Sequence, residues 1–294
     1  MKQLMLGNEA VARGLYEAGV RFVSSYPGTP STEITENAAK YQELSCEWAP
    51  NEKVAAEAAI GASFAGARSF CAMKHVGLNV AADPFYTMSY IGVNGGMVLG
   101  VADDPGMHSS QNEQDSRCHA IGAHLPMLEP ANSQECYDYT RLAFEISERF
   151  DTPVLIRLTT RIAHSQSLVE TREAEKPEII KYEKQPDKYV MMPVQAKARH
   201  IAVEKRDKEL TFTENRFNLD RQELSGKLGV ICSGAVYDYV KEALPEASVL
   251  KIGMVNPLCD EEIKDFAGKV DRLIVAEELE PVLENKVRAL GLEC

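Results

Sequence analysis

Short apolar runs alternate with helical patterns along the first part of the chain, from residue 1 to about residue 165. Each apolar run has the length of a strand, and the segments between the runs have the length and spacing of helices. The predicted strands are Val20–Ser24, Ser69–Lys74, Met97–Ala102 and Pro153–Thr159. The predicted helices are Val54–Ala67, Pro84–Tyr90 and a helix that Asn132 caps and that ends at Phe150. This alternation predicts an α/β fold with a parallel sheet that is covered on both faces. The start, MKQLMLGNEAVARG, has the pattern of an amphipathic helix.

The pattern changes after Glu170, where Lys, Glu, Arg and Asp become frequent and long apolar runs become few. We interpret residues 166–225 as a charged, solvated linker with one surface helix. Alternation resumes in residues 226–294, with predicted strands at Leu228–Ser233, Ser248–Met254 and Arg272–Glu277 and predicted helices at Val236–Leu244, Glu261–Lys269 and the last ten residues. The chain is therefore expected to hold a first α/β domain (1–165), a linker (166–225) and a smaller α/β domain (226–294).

Composition and charge narrow the class of protein. The chain has 294 residues and carries 32 basic and 44 acidic side chains, which give a formal net charge of −12 at pH 7. This balance argues against a nucleic-acid binder, which needs a basic face. No apolar run approaches the roughly 18 residues of a membrane span, and no cleavable apolar segment opens the chain. The seven cysteines are scattered and never spaced CxxC, which argues against disulfides, zinc or an iron–sulfur cluster in this chain. A cytoplasmic α/β protein is expected.

The first candidate motif is the turn Tyr26-Pro27-Gly28-Thr29-Pro30-Ser31, directly after the first predicted strand. Two prolines and a glycine fix a turn at the carboxyl end of a parallel strand, where open α/β sheets bind their ligands. The hydroxyls of Thr29 and Ser31 could bind a ligand, or the segment could serve only as a turn that caps the next helix.

The second motif places Asn51 and Glu52 at the start of a helix made largely of Ala, Gly and Ser. Helix capping alone explains both residues, because Asn51 is a good N-cap and Glu52 suits the positive end of the helix dipole. The small side chains, however, let the backbone approach another helix or a ligand closely. A carboxyl group buried there would favour its protonated form, which can donate a hydrogen bond to a ring nitrogen.

Two further motifs follow later strands of the predicted sheet. His75 and Gly77 lie in the segment after the strand Ser69–Lys74, where Gly77 lets the backbone approach a ligand and His75 is either hydrogen-bonded structure or a functional group. The stretch 103–117 is almost without apolar residues and is either a solvated excursion or a site. Its Arg117 could hold a substrate carboxylate in a bidentate fork. The spacing of Asp103, Asp104 and His108 matches no recognised metal site.

These four motifs together resemble the amino-terminal part of the alpha subunits of thiamine-diphosphate 2-oxoacid:ferredoxin oxidoreductases, the indolepyruvate type in particular. They are YPGTPS, PNEKVAAEAAIGASFAGAR, MKHVGLNVAADPF and DDPGMHSSQNEQDSR. The resemblance covers residues 1–165 well and implies a pyrimidine-binding domain there. Residues 226–294, with GVICSGAVYDYVKEAL and MVNPL, resemble the transketolase-carboxyl-terminal-like domain of the same family, whereas the linker matches weakly.

The resemblance implies roles for single residues. In thiamine enzymes a glutamate at the start of a helix bonds the aminopyrimidine ring and favours the imino form that activates the thiazolium carbon; Glu52 matches this glutamate. Thr29 would contact the substrate carboxylate, and Arg117 would be the charged partner of that carboxylate. His75 and Gly77 would lie beside the cofactor.

Two family features are absent from the sequence. It has no GDG motif for Mg²⁺ and the diphosphate, and no CxxCxxC run for iron–sulfur clusters. The resemblance thus implies that thiamine diphosphate and Mg²⁺ are completed by another domain or subunit, and that the clusters lie in a missing part or a partner. The end at Cys294 favours truncation, although a split gene is also possible. The isolated chain is expected to be inactive.

The leading functional hypothesis is a component of an enzyme that converts an aryl pyruvate (indolepyruvate), coenzyme A and oxidised ferredoxin into aryl-acetyl-CoA, CO₂ and reduced ferredoxin. Expected partners are a second copy in a homodimer, the diphosphate-binding unit, a beta subunit and ferredoxin, with no nucleic acid and no membrane. Two alternatives remain: a pyrimidine-domain subunit of a non-oxidative 2-oxoacid decarboxylase, and a non-catalytic assembly module whose small-residue helix serves dimerisation.

Overall fold

A seven-stranded sheet dominates the computed structural model, which describes residues 2–294 apart from residues 213 and 215. With elements numbered in chain order, its strands are β2 (Phe22–Ser25), β3 (Ser45–Trp48), β4 (Ser69–Lys74), β5 (Met97–Asp103), β6 (Met127–Leu128), β7 (Val154–Thr159) and β12 (Met254–Asn256). They lie in the order β12-β6-β7-β5-β4-β2-β3. Neighbouring strands are parallel except β12 and β6.

Helices cover both faces of this sheet. They are α1 (Gly7–Glu17), α2 (Thr32–Ala38), α3 (Glu52–Phe64), α4 (His75–Val80), α5 (Ala82–Ile91), α6 (Ser116–Ala123), α7 (Ser133–Phe150) and α8 (Thr160–His164). Successive residues of β4 point into different cores, as strand geometry requires. Phe70 and Ala72 pack in one cluster with residues of α1 and α7, whereas Cys71 and Met73 pack in the other with the alanines of α3. The predicted α/β fold with a mainly parallel sheet is confirmed.

The start of the chain differs from the prediction of a single amphipathic helix. Residues Lys2–Leu6 form strand β1, which pairs antiparallel with β8 (Gln166–Glu170) as a separate two-stranded sheet, and α1 begins only at Gly7. The backbone at Gly7 lies against α8, because a Cβ there would come within 2.0 Å of the Ile162 carbonyl oxygen. Glu9 caps the new helix by accepting from the Leu6 N–H at 2.9 Å. A tertiary contact at the glycine therefore divides a segment whose local pattern favours a helix.

A four-stranded sheet forms a second unit near the end of the chain, in the order β13-β10-β11-β9. Its elements are β9 (Arg221–Glu223), β10 (Leu228–Ser233), α11 (Val236–Ala243), β11 (Ser248–Ile252), α12 (Asp260–Ala267), β13 (Arg272–Ala276) and α13 (Val282–Ala289). The predicted strand Ser248–Met254 is broken at Gly253, after which β12 leaves this unit and joins the large sheet.

The charged segment between the two units folds back onto the first one. It holds the short helix α9 (Pro186–Tyr189) and the long helix α10 (Pro193–Leu210), and half of the residues of α10 are exposed. Arg206 of α10 is buried and donates to the carbonyl oxygens of Ser89 and His124. Among all the helices that the structure describes, none combines the length and the apolar character needed to cross a membrane.

A buried network of charged side chains connects the two units. Arg157, in the middle of β7, donates to the Asp103 carboxylate at 2.7 Å and to the carboxylate of Glu129. Glu129 in turn accepts from the Ser233 hydroxyl of the second unit at 3.0 Å. Burial alone would lower the pKa of Arg157, but the carboxylates of Glu129, Asp103 and Asp115 raise it. The guanidinium is therefore a permanent cation that fixes three acidic groups inside the protein.

Replacing Arg157 with leucine should destabilise the fold strongly, because it leaves carboxylates buried without their cation. We expect a loss of about 3–5 kcal/mol in the free energy of unfolding, measured by urea denaturation. The matched control is Arg172→Leu, since Arg172 is exposed and pairs with Asp138 on the surface at 3.0 Å; it should cost at most about 1 kcal/mol. Equal small losses for both variants would contradict a structural role for the network.

Candidate active site

The motifs singled out in the sequence meet along one edge of the large sheet. In the parallel ladders, Ser25 at the end of β2 pairs with Trp48 of β3 and with Ala72 of β4, and Lys74 of β4 pairs with Ala102 of β5. The segments that follow these strands therefore leave the sheet side by side. This carboxyl edge is where open parallel sheets bind their ligands.

The turn after β2 is held by its own hydrogen bonds. The Ser31 N–H and hydroxyl both donate to the Gly28 carbonyl at 2.8 Å, and the Gly28 N–H donates to the Thr32 hydroxyl oxygen at 2.8 Å. The Ser31 side chain thus closes the turn. It does not cap α2, which was one of the two interpretations of the sequence. Thr29 precedes a cis proline bond and is exposed, and its hydroxyl has no hydrogen-bond partner in the described chain.

Glu52 and Gly77 lie in direct contact. Glu52 is the first residue of α3, where the Asn51 side chain accepts from the Val54 N–H at 3.0 Å and caps the helix. A Cβ at position 77 would lie 2.5 Å from Glu52 Oε1 and 2.6 Å from its Cγ, so only glycine leaves room for this carboxylate. Burial, with the Glu52 charge as a second cause, raises the pKa of the Cys71 thiol on β4. The Glu52 side chain is therefore folded over α4 toward the sheet.

The Glu52 carboxylate is half-buried and is not satisfied by the protein. Within residues 2–294, leaving aside 213 and 215, no group donates a hydrogen bond to it and no cation forms an ion pair with it. The sequence predicted a carboxyl group at a dry interface. In the structure the Glu52 side chain contacts Gly77 on one side and is accessible on the other. A group that donates and accepts hydrogen bonds in a plane could reach the carboxyl from the open side.

His75 begins α4 and is buried. Its Nε2 lies 3.2 Å from the Asn112 carbonyl oxygen, which can only accept, so Nε2 carries the proton. The other ring nitrogen, Nδ1, is buried without a hydrogen-bond partner in the described structure. His75 thus ties the start of α4 to the loop after β5.

The loop between β5 and α6 is ordered by carboxylates. Asp104 is buried and accepts from the Ser109 N–H at 2.8 Å, the Ser110 hydroxyl at 2.5 Å and the Thr160 hydroxyl at 2.6 Å. Although burial acts in the opposite direction, these hydrogen bonds lower the pKa of Asp104 to about 2. The described residues contain no group of three His, Cys, Asp or Glu side chains suited to a metal ion. Asp104 is therefore an anchor that the sequence considered only as a metal ligand.

The structure does not bring Arg117, which the sequence predicted to bind a substrate carboxylate, to the open part of this edge. The residue is fully buried, and its Nε and Nη2 donate to the Asp115 carboxylate at 3.0 and 2.6 Å. Nη1 donates to Glu277 at 2.7 Å, and Nη2 also reaches the backbone carbonyls of Glu278 and Glu280 at 2.8 Å. All three guanidinium nitrogens are occupied by protein groups. Arg117 fastens α6 to the second unit.

Sequence reasoning gave no role to Lys74, although the residue lies in one of the motifs. It lies at the end of β4, between the turn after β2 and the loop after β5, and its Nζ donates to the Ser109 carbonyl at 2.6 Å. A Cβ at Gly28 would lie 3.1 Å from the Lys74 Cβ, so the turn rests on the lysine stem. A lysine that ends a buried strand of a parallel sheet is itself a usable signal, because that position faces the ligand edge.

One protein-family model matches most of the chain. It describes the thiamine-diphosphate-binding part of pyruvate flavodoxin/ferredoxin oxidoreductases, and it matches residues 13–224. The matched range includes the turn after β2, the start of α3, the start of α4 and the loop after β5.

Individual relatives extend the match over nearly the whole chain. The chain is 42% identical over 306 residues to the indolepyruvate oxidoreductase subunit IorA of Archaeoglobus fulgidus, which covers 99% of this chain and 49% of that protein. The chain spans about half the length of the curated relatives it matches.

Two solved structures share the fold. A 2-oxoglutarate:ferredoxin oxidoreductase from Magnetococcus marinus, with 2-oxoglutarate, coenzyme A and succinyl-CoA bound, aligns with a TM-score of 0.82 and 19% identity, over 98% of this chain and 60% of its own. A split-gene transketolase, an inactive β4 tetramer, aligns with a TM-score of 0.65 and 17% identity, over 97% of this chain and 84% of its own. At these identities the two structures establish the fold alone.

Gly77→Ala should move the Glu52 carboxylate, since the new methyl group and Oε1 cannot both occupy their places. The matched control is Gly61→Ala on α3, where a Cβ meets nothing within 4 Å. Alanine at an open helical position should stabilise the protein by about 0.5–1 kcal/mol. We expect urea denaturation to show this gain for Gly61→Ala and not for Gly77→Ala, and a crystal structure of the latter to show Glu52 displaced. The same gain in both variants, with Glu52 unmoved, would contradict the contact.

The loop after β5 should loosen as the pH falls through the range where Asp104 takes up a proton. Because the folded pKa of Asp104 lies below its ordinary value, its stabilising effect is complete above about pH 4 and is lost as the pH falls toward 2. Asp104→Asn should remove it at all pH values and should speed hydrogen exchange of the amides of residues 105–112 at pH 6. Asp271→Asn, at an exposed pair with Lys227, is the control. Unchanged exchange in Asp104→Asn would refute the anchor.

Proposed function

The chain belongs to the thiamine-diphosphate-binding family of pyruvate flavodoxin/ferredoxin oxidoreductases, and we propose on that premise that it supplies the pyrimidine-binding half of a 2-oxoacid:ferredoxin oxidoreductase site. The resemblance derived from four motifs is confirmed by the family match and by the relatives named IorA. Because the chain spans about half the length of those relatives, the activity, substrate and partners of the whole enzyme are part of the proposal.

The observation that carries the proposal is the Glu52 carboxyl group, which lies over Gly77 without a partner in the described protein. A planar heterocycle with ring nitrogens suits such a position, because a carboxyl group can hold or share a proton with it in the plane of the ring. Gly77 has no side chain that would block access to the carboxyl group, and the small side chains of α3 let a ring approach the backbone. The residues present therefore fit the aminopyrimidine end of thiamine diphosphate.

Each residue has a part in the proposed chemistry. When bound, thiamine diphosphate supplies a nucleophilic carbon and an electron sink for the loss of CO₂ from a 2-oxoacid. Glu52 holds a proton at the aminopyrimidine nitrogen, while Gly77 leaves room for it. His75 fixes the start of α4 through Asn112, and Thr29 offers its hydroxyl to the substrate carboxylate.

The surroundings of Glu52 support completion of the site by a second α/β unit. The neighbouring elements expose four large apolar side chains: Trp48, Val54, Val80 and Tyr86, between 39% and 49% accessible. Apolar side chains grouped around a polar site are typical of a surface that another unit covers. We propose that the diphosphate-binding unit, with its Mg²⁺, covers this surface, that the enzyme is a dimer, and that iron–sulfur clusters and a beta subunit complete the electron path to ferredoxin in the cytoplasm.

The proposed reaction is the oxidative decarboxylation of indolepyruvate. The bond between the oxo carbon and the carboxylate breaks and CO₂ is released, and the acyl group passes to the sulfur of coenzyme A, whose thiol loses a proton. Two oxidised ferredoxins each take one electron, and the product is indoleacetyl-CoA. The name of the relatives carries the choice of substrate. A non-oxidative decarboxylase subunit and a non-catalytic assembly module remain the alternatives to be distinguished by experiment.

Glu52→Gln should abolish turnover while leaving the complex assembled, because the amide cannot release a proton to the ring. In the complex with its partner chains we expect the indolepyruvate-dependent reduction of ferredoxin to fall by at least about a hundredfold. The control is Glu57→Gln on the same helix, whose side chain is exposed. Size-exclusion chromatography with light scattering checks assembly, and calorimetry measures binding of thiamine diphosphate.

The outcomes separate the hypotheses. An unchanged rate in Glu52→Gln would favour an assembly module and would sink the proposed role of Glu52. Release of indoleacetaldehyde without reduction of ferredoxin by the wild-type complex would instead favour the non-oxidative decarboxylase.

A further inference from the structure

The burial of Arg117 leaves the substrate carboxylate without the cation that the sequence suggested. A carboxylate that leaves water for an enclosed site needs a charged or strongly polar partner. We propose that Lys74 is that cation, and that it binds the carboxylate of the 2-oxoacid together with Thr29. This inference rests on the proposed function and names a residue of the same site.

Lys74 has the required position. It is the last residue of β4, the strand that lies between β2 and β5 in the sheet. The turn with Thr29 follows β2 and the Asp104-anchored loop follows β5, so these segments are two strand spacings apart, about 10 Å. Lys74 occupies the middle of that gap, with its stem against Gly28 and its ammonium at the Ser109 carbonyl.

Lys74 also connects the gap between the turn after β2 and the loop after β5 with the contact between Glu52 and Gly77. Lys74 is followed directly by His75, and Gly77, which contacts Glu52, lies one turn further along α4. A 2-oxoacid with its carboxylate at Lys74 would thus present its oxo carbon on the side of the sheet edge where Glu52 stands. Among the strands that the structure describes, β4 is the one whose end lies next to both the turn after β2 and the start of α4.

Lys74 differs from the other cations of this edge in its partners. The part of the chain that the structure describes gives it no carboxylate partner and one hydrogen bond, to the Ser109 carbonyl, so two of its three N–H groups remain. Lys53 pairs with Asp83 at 2.9 Å, and Arg161 lies 3.6 Å from Glu278. Arg117 and Arg157 are buried among carboxylates. Lys74 is therefore the cation whose charge is available to an incoming anion.

Thr29 supplies the second contact. Its exposed hydroxyl is one residue from Gly28, which rests on the Lys74 stem. The Lys74 ammonium and the Thr29 hydroxyl would therefore offer a substrate carboxylate one charged and one neutral hydrogen-bond donor. The Ser109 carbonyl fixes the ammonium without neutralising it, and Asp104 fixes Ser109 in turn.

The test compares variants of Lys74 in the assembled, cofactor-loaded complex. Lys74→Gln removes the charge but keeps an amide N–H that can donate to the Ser109 carbonyl, and Lys74→Arg keeps the charge. Lys53→Gln is the control, because it removes a neighbouring charge that Asp83 already neutralises. The probes are indolelactate, a 2-hydroxy acid that cannot be decarboxylated here, and its uncharged methyl ester, titrated by calorimetry beside steady-state kinetics with indolepyruvate.

We expect Lys74→Gln to weaken binding of indolelactate about tenfold to a hundredfold and to leave binding of the ester within about twofold, the range that loss of a charge-assisted hydrogen bond gives. The KM for indolepyruvate should rise by a similar factor, and more than kcat falls. Lys74→Arg should restore most of the affinity, and Lys53→Gln should behave like the wild type.

Equal losses for acid and ester in Lys74→Gln, or no loss for either, would overturn the assignment while leaving the proposed function standing. Failure of Lys74→Arg to restore binding of the acid would also count against it. A wild-type complex that neither binds indolelactate nor reduces ferredoxin with any 2-oxoacid would refute the proposed function, and the role of Lys74 would fall with it.

Discussion

The arginine in the middle of β7 holds together the polar ends of the large sheet. Arg157 neutralises carboxylates from the end of β5, from the segment after β6 and from the start of α6, all inside the protein. A parallel sheet brings its strand ends to one edge, and their polar groups must be paired there or left in water. The network pairs them internally on the β5–β7 side. In our proposal the ligand binds at the β2–β4 side of the edge, which this network does not occupy.

The same pairing decides which charges a ligand can meet. Arg117 is consumed by Asp115 and by the second unit, so it sets the position of α6 and contributes no free donor. The second unit thus acts on the site at a distance, because it fixes one end of the loop whose other end Asp104 fixes. Around the gap, the described chain leaves the Glu52 carboxyl and the Thr29 hydroxyl without a hydrogen bond, and it leaves the Lys74 ammonium with one hydrogen bond and no carboxylate partner. In our proposal these three groups serve a heterocyclic cofactor and a 2-oxoacid: Glu52 holds a proton at the ring, Thr29 is a neutral donor and Lys74 is the cation.

Local sequence patterns predict correctly the bounds of elements that are buried in the core. They fail where a contact between residues far apart in the sequence determines the structure. The strand Ser69–Lys74 and the end of α7 at Phe150 have the predicted bounds, since their apolar periodicity reflects burial on both sides of a sheet. The start of the chain was mispredicted because the contact of Gly7 with α8 is invisible in a local pattern. The burial of Arg117 could not be predicted for a similar reason: its partners Glu277 and Glu278 are about 160 residues away. Motif position predicts the sheet edge at which we propose that the ligand binds, but only the tertiary structure shows which charges of that edge are already paired.

The state of Glu52 argues that the site is shared between units. The Glu52 carboxylate is half-buried, and the described chain donates no hydrogen bond to it, so its oxygens are available to a partner from outside this chain. The helix that carries it is built from small side chains, and the elements beside it expose Trp48, Val54 and Tyr86 to solvent. Neither feature stabilises this chain alone, whereas both would become favourable once another α/β unit and a flat ring cover the edge. In our proposal the exposed apolar side chains are buried, and Glu52 gains a hydrogen bond, only when the units assemble with the cofactor. Cofactor binding and contact between units are therefore coupled through the Glu52 carboxyl group.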